Sequence, residues 1–226
     1  IPGCLENVSF EARGGQILGI GGLVGAGRTE ILESIYGLRK YAAGSITLDG
    51  KPVAHSAGKA VRQGVGLVPE DRRREGLVQS LSVADNIALS NYDVLFPGVT
   101  VHPSKIMAQA KESIELLRIK TPSGSTRCMN LSGGNQQKVV LAKWLMRDLK
   151  VLLVDEPTVG IDIGSKTEIY EILRSIADKG SIVVVVSSDT EELLKISDRI
   201  LIMVGGKVFA DMPNQRLTAD DLLLEA

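Results

Sequence analysis

Aromatic residues make up only 4% of this 226-residue chain, and cysteine and histidine number two each. So few rings, with a formal net charge of −1, leave no aromatic-basic face on which nucleic acid would stack. The same charge argues against a general binder of membrane surfaces. Cys4 and Cys128 lie far apart and form no close metal-ligand pair, so two reduced thiols are expected. His55 and His102 have no acidic or cysteine neighbours and read as surface residues. Long apolar runs are also missing. Ile182 to Val186 is typical of the longest, far short of the ~20 residues that cross a bilayer. Neither a transmembrane helix nor a signal peptide is read. What is present is an ordinary globular balance of 44% hydrophobic and 23% charged residues, which excludes disorder. At roughly 150 residues per domain, one or two domains are expected. A first residue of Ile1 rather than Met is read as a processed product or a piece of a longer protein.

No internal repeat is visible. Short apolar runs alternate with helical periodicity, the pattern of an α/β fold. Strands are expected at Leu5 to Ala12, Gln16 to Ile20, Ser45 to Leu48, Val65 to Val68, Val151 to Val154, Ile182 to Val186, Arg199 to Val204 and Lys207 to Ala210. Helices are expected at Arg28 to Tyr36, ended by Gly37, and at Pro103 to Ile119, with Ile106, Ala110, Ile114 and Leu117 on one face. Others are read at about Gly134 to Arg147, at Ser165 to Lys179, through Leu194, and near Thr218. Between Glu70 and about Leu131 β-branched runs fade, which predicts a mostly helical insert.

Three segments carry chemistry. Gly22-Leu-Val-Gly25-Ala26-Gly27-Arg28-Thr29 fits a phosphate-loop pattern at every fixed position except the lysine, where Arg28 stands. It falls between an expected strand and an expected helix. There, glycines let backbone N–H groups face phosphate oxygens, and the helix start adds partial positive charge. Thr29 would hold Mg²⁺ through its hydroxyl. Next, the buried strand from Val151 ends in Asp155-Glu156, and the C-terminal ends of such strands are where α/β sheets bind ligands. Asp155 suits Mg²⁺ coordination, and Glu156 suits orienting or deprotonating an attacking water. In the third segment, Leu131-Ser132-Gly133-Gly134-Asn135-Gln136-Gln137-Lys138, a serine and two glycines open a helix and make a second anion site.

The third run resembles the LSGGQ signature of ABC-type ATPases and precedes the Asp155-Glu156 strand by one helix, as in that family. Three further stretches are similar to the C-terminal nucleotide-binding half of tandem ATPase subunits in ribose, xylose, galactose and arabinose importers. They are Gly22 to Glu30, Val68 to Gly76 (VPEDRRREG) and Asp155 to Gly164 (DEPTVGIDIG). The resemblance implies a RecA-like α/β core, at about 1–70 and 141–226, with an antiparallel β-subdomain and a helical signature subdomain at about 71–140. It also implies that Leu131, Ser132, Gly133, Gly134 and Gln136 act in trans on a partner's ATP site. Asp162 matches the D-loop aspartate that links the two sites.

Four positions depart from the family's pattern. Arg28 replaces its lysine, and a planar guanidinium cannot stand in for a point charge. Glu30 stands where the family has Ser or Thr near the α-phosphate. A carboxylate ~5 Å from a phosphate charge costs on the order of 3 kcal/mol at an effective dielectric of ~20, whereas a first-turn Glu is favoured by the helix dipole. Both readings of Glu30 stay open. Glu70 aligns with the Q-loop glutamine, which reaches the metal and the attacking water. Ser188 falls at the switch histidine and cannot take a proton near neutral pH. The adenine-stacking aromatic would lie before Ile1. Arg72-Arg73-Arg74 reads as a solvated run or as a contact with a transmembrane subunit, and Trp144 reads as core.

The resemblance therefore implies an importer's ATP hydrolase domain that uses ATP and Mg²⁺. Its own site would be partly degenerate and its signature would serve the partner site. The implied partners are a second ABC domain (the N-terminal half of the same subunit), permease subunits and, indirectly, a periplasmic or extracellular sugar-binding protein, without nucleic acid. The place implied is the cytoplasmic face of the inner or plasma membrane. The alternatives are a non-catalytic structural module and a soluble ABC ATPase of nucleic acid or translation.

Overall fold

Eight strands and eight helices make up the fold, seen in a computed structural model that describes residues 4–96, 100–215 and 217. In chain order they are β1 (Ile17–Gly22), α1 (Arg28–Tyr36), β2 (Thr47–Leu48), β3 (Lys51–Pro52), α2 (Ala57–Arg62), β4 (Val65–Val68), α3 (Val83–Leu89), α4 (Tyr92–Leu95), α5 (Pro103–Leu116), α6 (Gly133–Leu145), β5 (Val151–Asp155), α7 (Ile163–Asp178), β6 (Ile182–Val186), α8 (Thr190–Ile196), β7 (Arg199–Val204) and β8 (Lys207–Pro213). A π-helical turn at Arg72–Gly76 and a 3-10 turn at Cys128–Asn130 complete them. The residues fall into two compact units. One is drawn from Ile1–Leu67, Lys150–Pro157 and Leu173–Ala226, the other from Val68–Leu149 and Thr158–Ile172.

In the first unit a six-stranded sheet runs in the order β4-β5-β6-β1-β7-β8. β1 lies parallel to both β6 and β7, and β5 lies parallel to β6, while β8 returns antiparallel along β7. Leu18, Ile20, Leu32, Leu153, Val184 and Leu201 belong to one buried cluster. The register pairs Val186 with both Ile20 and Asp155, so β1, β5 and β6 end together at one edge. In parallel sheets that edge is where ligands bind. A small antiparallel hairpin joins β2 and β3 through Asp49-Gly50, both at positive φ.

The second unit is helical. α3 packs on α5 and α6. Ser82 caps α3 by accepting from the Asp85 amide. Asn86 is fully buried and satisfied by the carbonyls of Val78 and Ser82. Among the described residues no helix is long and apolar enough to cross a membrane.

Two expectations change. Leu5 to Ala12 forms no strand: Asn7 turns at φ 53°, and the bond from the Glu6 amide to Gly206 O starts no ladder. Its apolar residues still pack: Leu5, Val8, Phe10 and Ala12 lie against the core of the sheet. Helix α2 was not expected, and α3 and α4, inside the insert read as mostly helical, were given no bounds; all three are four to seven residues long and without a full amphipathic period. The helix expected near Thr218 lies outside the described residues. Trp144 is buried on α6, and His55 and His102 are exposed, as read.

Candidate functional site

Gly22 leaves β1 at φ 139°, with Met203 O 2.3 Å from where a Cβ would stand. Gly27 sits at φ 93° against Cys4 O and Leu5, so a side chain at either position would collide with the chain it turns past. Gly27 is also the N-cap of α1 and offers no side-chain cap, which leaves the first-turn amides uncapped beside the loop. Leu23, Val24 and Gly25 are exposed, Ala26 is buried, and Glu30 is half-buried in the first turn. Such a loop can receive an anion on backbone N–H groups.

The β5 edge brings its acids to this loop. Thr29 donates its hydroxyl to Asp155 Oδ2 at 2.7 Å. A hydroxyl and a carboxylate held together form an oxygen pair that suits a hard divalent cation. Among the described residues no cluster of three or more His, Cys, Asp or Glu could hold a metal unaided, so water and substrate oxygens would complete the shell. Glu156 follows at φ 45°, a left-handed conformation unusual for a side-chain-bearing residue. Such strain marks a residue held in position by its surroundings. Its carboxyl is raised above the usual carboxylate range, first by burial. The Ser188 hydroxyl, which donates to its Oε2 at 3.2 Å, and the Arg28 charge offset part of that rise.

Arg28 is where the cluster departs from an open phosphate site. Its guanidinium is buried, donates from Nη1 to the Ser187 carbonyl at 2.6 Å, and lies 3.8 Å from Glu156 Oε1. The cation of the loop therefore faces the ends of β5 and β6 rather than free space. Ser187 was missed by sequence reasoning. Its hydroxyl donates to buried Glu192 at 2.5 Å, and Asp189 caps α8 by accepting from the Glu192 amide. The Asp189-Thr-Glu-Glu192 run has the spacing of a capping box and could have flagged the turn.

The second unit holds the other expected residues. Ser132 is the N-cap of α6 but makes no side-chain cap bond, and its exposed hydroxyl accepts from Asn135 Nδ2 at 2.8 Å. The α6 first-turn amides are thus also without a side-chain cap. Gly133 is half-exposed, whereas Gly134 is buried, with Ser165 Cβ 2.5 Å from its missing Cβ. Leu131 is buried. So is Gln136, whose amide nitrogen donates to Cys128 O at 2.9 Å, an inward placement unlike the surface role implied for it. Asp162 is exposed and accepts from the Ser165 amide, which holds its carboxyl below the usual range. Glu70 is exposed, and its carbonyl accepts from the Arg72 amide. A scaffold residue was also missed. Lys138 is 1% exposed and donates to Arg118 O at 3.0 Å and to Glu168 at 2.7 Å.

Residues 5–159 match the family described as ABC transporter. The chain is 45% identical over 227 residues to the xylose import ATP-binding protein XylG of Thermoanaerobacter pseudethanolicus, covering 99% of this chain and 45% of that protein. It is 41% identical to the ribose import ATP-binding protein RbsA of Geobacillus kaustophilus, covering 99% and 46%. The chain thus spans less than half the length of these relatives. A bacterial ABC transporter cassette solved as a dimer has the same fold, with a TM-score of 0.80 at 22% identity over 95% of this chain and 92% of that one.

Proposed function

This chain belongs to the ABC transporter family, and on that premise we propose that it is one of two ATP-binding domains in an importer subunit that drives sugar uptake through a membrane permease. Its own ATP site is weakened, and its signature turn completes the site of the partner domain. The partner is the N-terminal half of the same subunit. Permease subunits and a periplasmic or extracellular sugar-binding protein complete the system, at the cytoplasmic face of the membrane. The division into a core at about 1–70 and 141–226 and a helical subdomain at about 71–140 belongs to this reading.

The engagement of Arg28 carries the proposal. A phosphate oxygen must compete with the Ser187 carbonyl and Glu156 for a buried guanidinium that already has both. The N–H groups of Gly25 and Gly27 and of the α1 first turn would receive phosphate oxygens, the Ala26 amide joining them only on release from Leu23 O, and Gly22 turns the chain into the loop. Thr29 and Asp155 would hold Mg²⁺, which when bound neutralises phosphate charge. Glu156, with its raised carboxyl, accepts a proton from water, and Ser188 steadies that carboxylate. Glu70 is the second acid assigned to orienting water. Asp162, Ser132 and Gly133 face the partner, while Leu131, Gly134 and Gln136 are buried.

The isolated chain lacks a partner signature and has a committed Arg28. We expect ATP turnover well below about one per second. Turnover of several per second by the purified chain would overturn the weakened-site reading.

A further inference from the structure

Of the three arginines in the 72–74 run, Arg73 and Arg74 are exposed, while Arg72 turns inward. The π-helical turn explains the split. Asp71 accepts from the amides of Arg73 and Arg74, which fixes the turn without using the Arg72 side chain. The Arg72 guanidinium then donates from Nη1 to Val159 O at 2.7 Å and from Nη2 to Gly160 O at 3.3 Å. No carboxylate pairs with it among the described residues. Its Nε is buried without a partner, and burial lowers its pKa from the ordinary arginine value. The guanidinium is thus half-buried and committed to two backbone carbonyls.

The third participant is Gly133, the first residue of α6. A Cβ there would stand 2.6 Å from Arg72 Nη2 and 2.9 Å from Gly160 O. Gly160 turns at φ 66° two residues before Asp162. One guanidinium thus meets three segments of the same unit: the turn after Glu70, the start of the signature helix, and the Val159-Gly160 turn.

We infer that Arg72 is a positioning residue that fixes the signature turn and the Asp162 loop as one presented surface, so that both meet the partner's ATP together. This rests on the reading that the signature serves the partner site. A planar fork donates to the two carbonyls from separate nitrogens in a fixed geometry, which a single ammonium does not reproduce, so lysine keeps the charge but not the geometry. Small displacements of such groups act on the chemical step, and about 1 Å can cost up to 100-fold.

The test uses the full-length two-domain subunit assembled with its permease. Steady-state ATPase is measured for Arg72→Ala, Arg72→Lys, Gly133→Ala, the Arg72→Ala/Gly133→Ala pair, and Arg73→Ala. We expect Arg72→Ala to lower kcat about tenfold with KM for ATP within about twofold. Arg72→Lys should fall between, and Arg73→Ala should match the parent. Gly133→Ala pushes on the same guanidinium, so its loss should not add to that of Arg72→Ala. If Arg72→Ala fails to assemble, Arg72→Lys decides, and full kcat in that variant overturns the inference. An unchanged kcat, a loss confined to KM, or an equal loss in Arg73→Ala also overturns it. Ser132→Arg is run in parallel. If that variant is inactive while Arg72→Ala has normal kcat, this inference alone fails. If Ser132→Arg is active, the trans reading beneath it fails.

Discussion

The phosphate-loop cluster of the first unit and the signature cluster of the second use similar residues to opposite ends. Both open a helix without a side-chain cap. In the first, the polar groups bind one another: Arg28 to Ser187 O and Glu156, Thr29 to Asp155, Ser188 to Glu156. In the second, buried Lys138 binds away from the helix start, and half-buried Arg72, beside that start, binds backbone carbonyls. Lys138 reaches Arg118 O and Glu168, and Arg72 reaches Val159 and Gly160, while the Ser132 hydroxyl stays at the surface. A helix N-terminus offers an anion site in both. What differs is whether a nearby cation is already neutralised. The first cluster holds its own cation on a carbonyl and a carboxylate, and the second is a braced surface.

The largest effect should come from breaking the brace. Lys138→Ala removes a buried ammonium and leaves Glu168 and Arg118 O without it. Losing one partner of a buried pair costs about 3–5 kcal/mol, and the partial exposure of Glu168 places this case near the low end. Lys138→Met keeps the stem and should cost less. Urea unfolding of the chain checks both, and a neutral Lys138→Ala would mean that the second cluster is not braced.

A smaller effect sharpens the first cluster. Asp155→Asn should weaken Mg²⁺-dependent nucleotide binding about tenfold, the scale of losing one charge-assisted contact. Glu156→Gln should leave binding within about twofold, because the role proposed for Glu156 is on water rather than on nucleotide. Titration of a fluorescent ATP analogue, with and without Mg²⁺, separates them. Equal losses would make Glu156 a metal or structural residue.

The smallest effect is on stability against pH. Burial raises the Glu156 carboxyl, so the folded chain keeps its proton over a window in which the unfolded chain has lost it. That window runs from the ordinary carboxylate value up to the raised one. Stability from this group is present below the window and is lost as pH rises through it. Glutamine cannot titrate. The stability of Glu156→Gln relative to the parent should therefore climb with pH across the window and level off above it. A constant difference would place Glu156 in a solvated environment.

Much of this was legible in the sequence because its causes are local. A glycine-rich turn between strand and helix, and an apolar run ended by Asp155-Glu156, each carry their chemistry within a few residues. The helix at Arg28–Tyr36 was bounded by its own glycines, and both sit at positive φ. What escaped was non-local or short. Arg28 finds its acceptor 159 positions away, on a backbone atom that no side-chain pattern reports. Val8, Phe10 and Ala12 alternate like a strand and do pack on the core, yet the ladder that defines a strand is missing. Nothing in the 72–74 run distinguishes Arg72 from its neighbours until the turn is built. A lysine almost wholly buried runs against expectation for its type, and Lys138 read as the end of a motif rather than as a brace.

The contrast between the clusters is tested most directly by steady-state ATPase and sugar uptake in the assembled transporter, with Arg28→Ala and Ser132→Arg made separately. On the proposed reading Ser132→Arg blocks closure over the partner's nucleotide and removes an oriented donor, and losing one such donor costs ~3 kcal/mol in the barrier, or ~100-fold in rate. Arg28→Ala changes a site whose cation is already engaged, so total turnover should shift only a few-fold, on the scale of about 1 kcal/mol. If Arg28→Ala abolishes activity and Ser132→Arg is tolerated, this chain carries the working phosphate loop and the account is reversed.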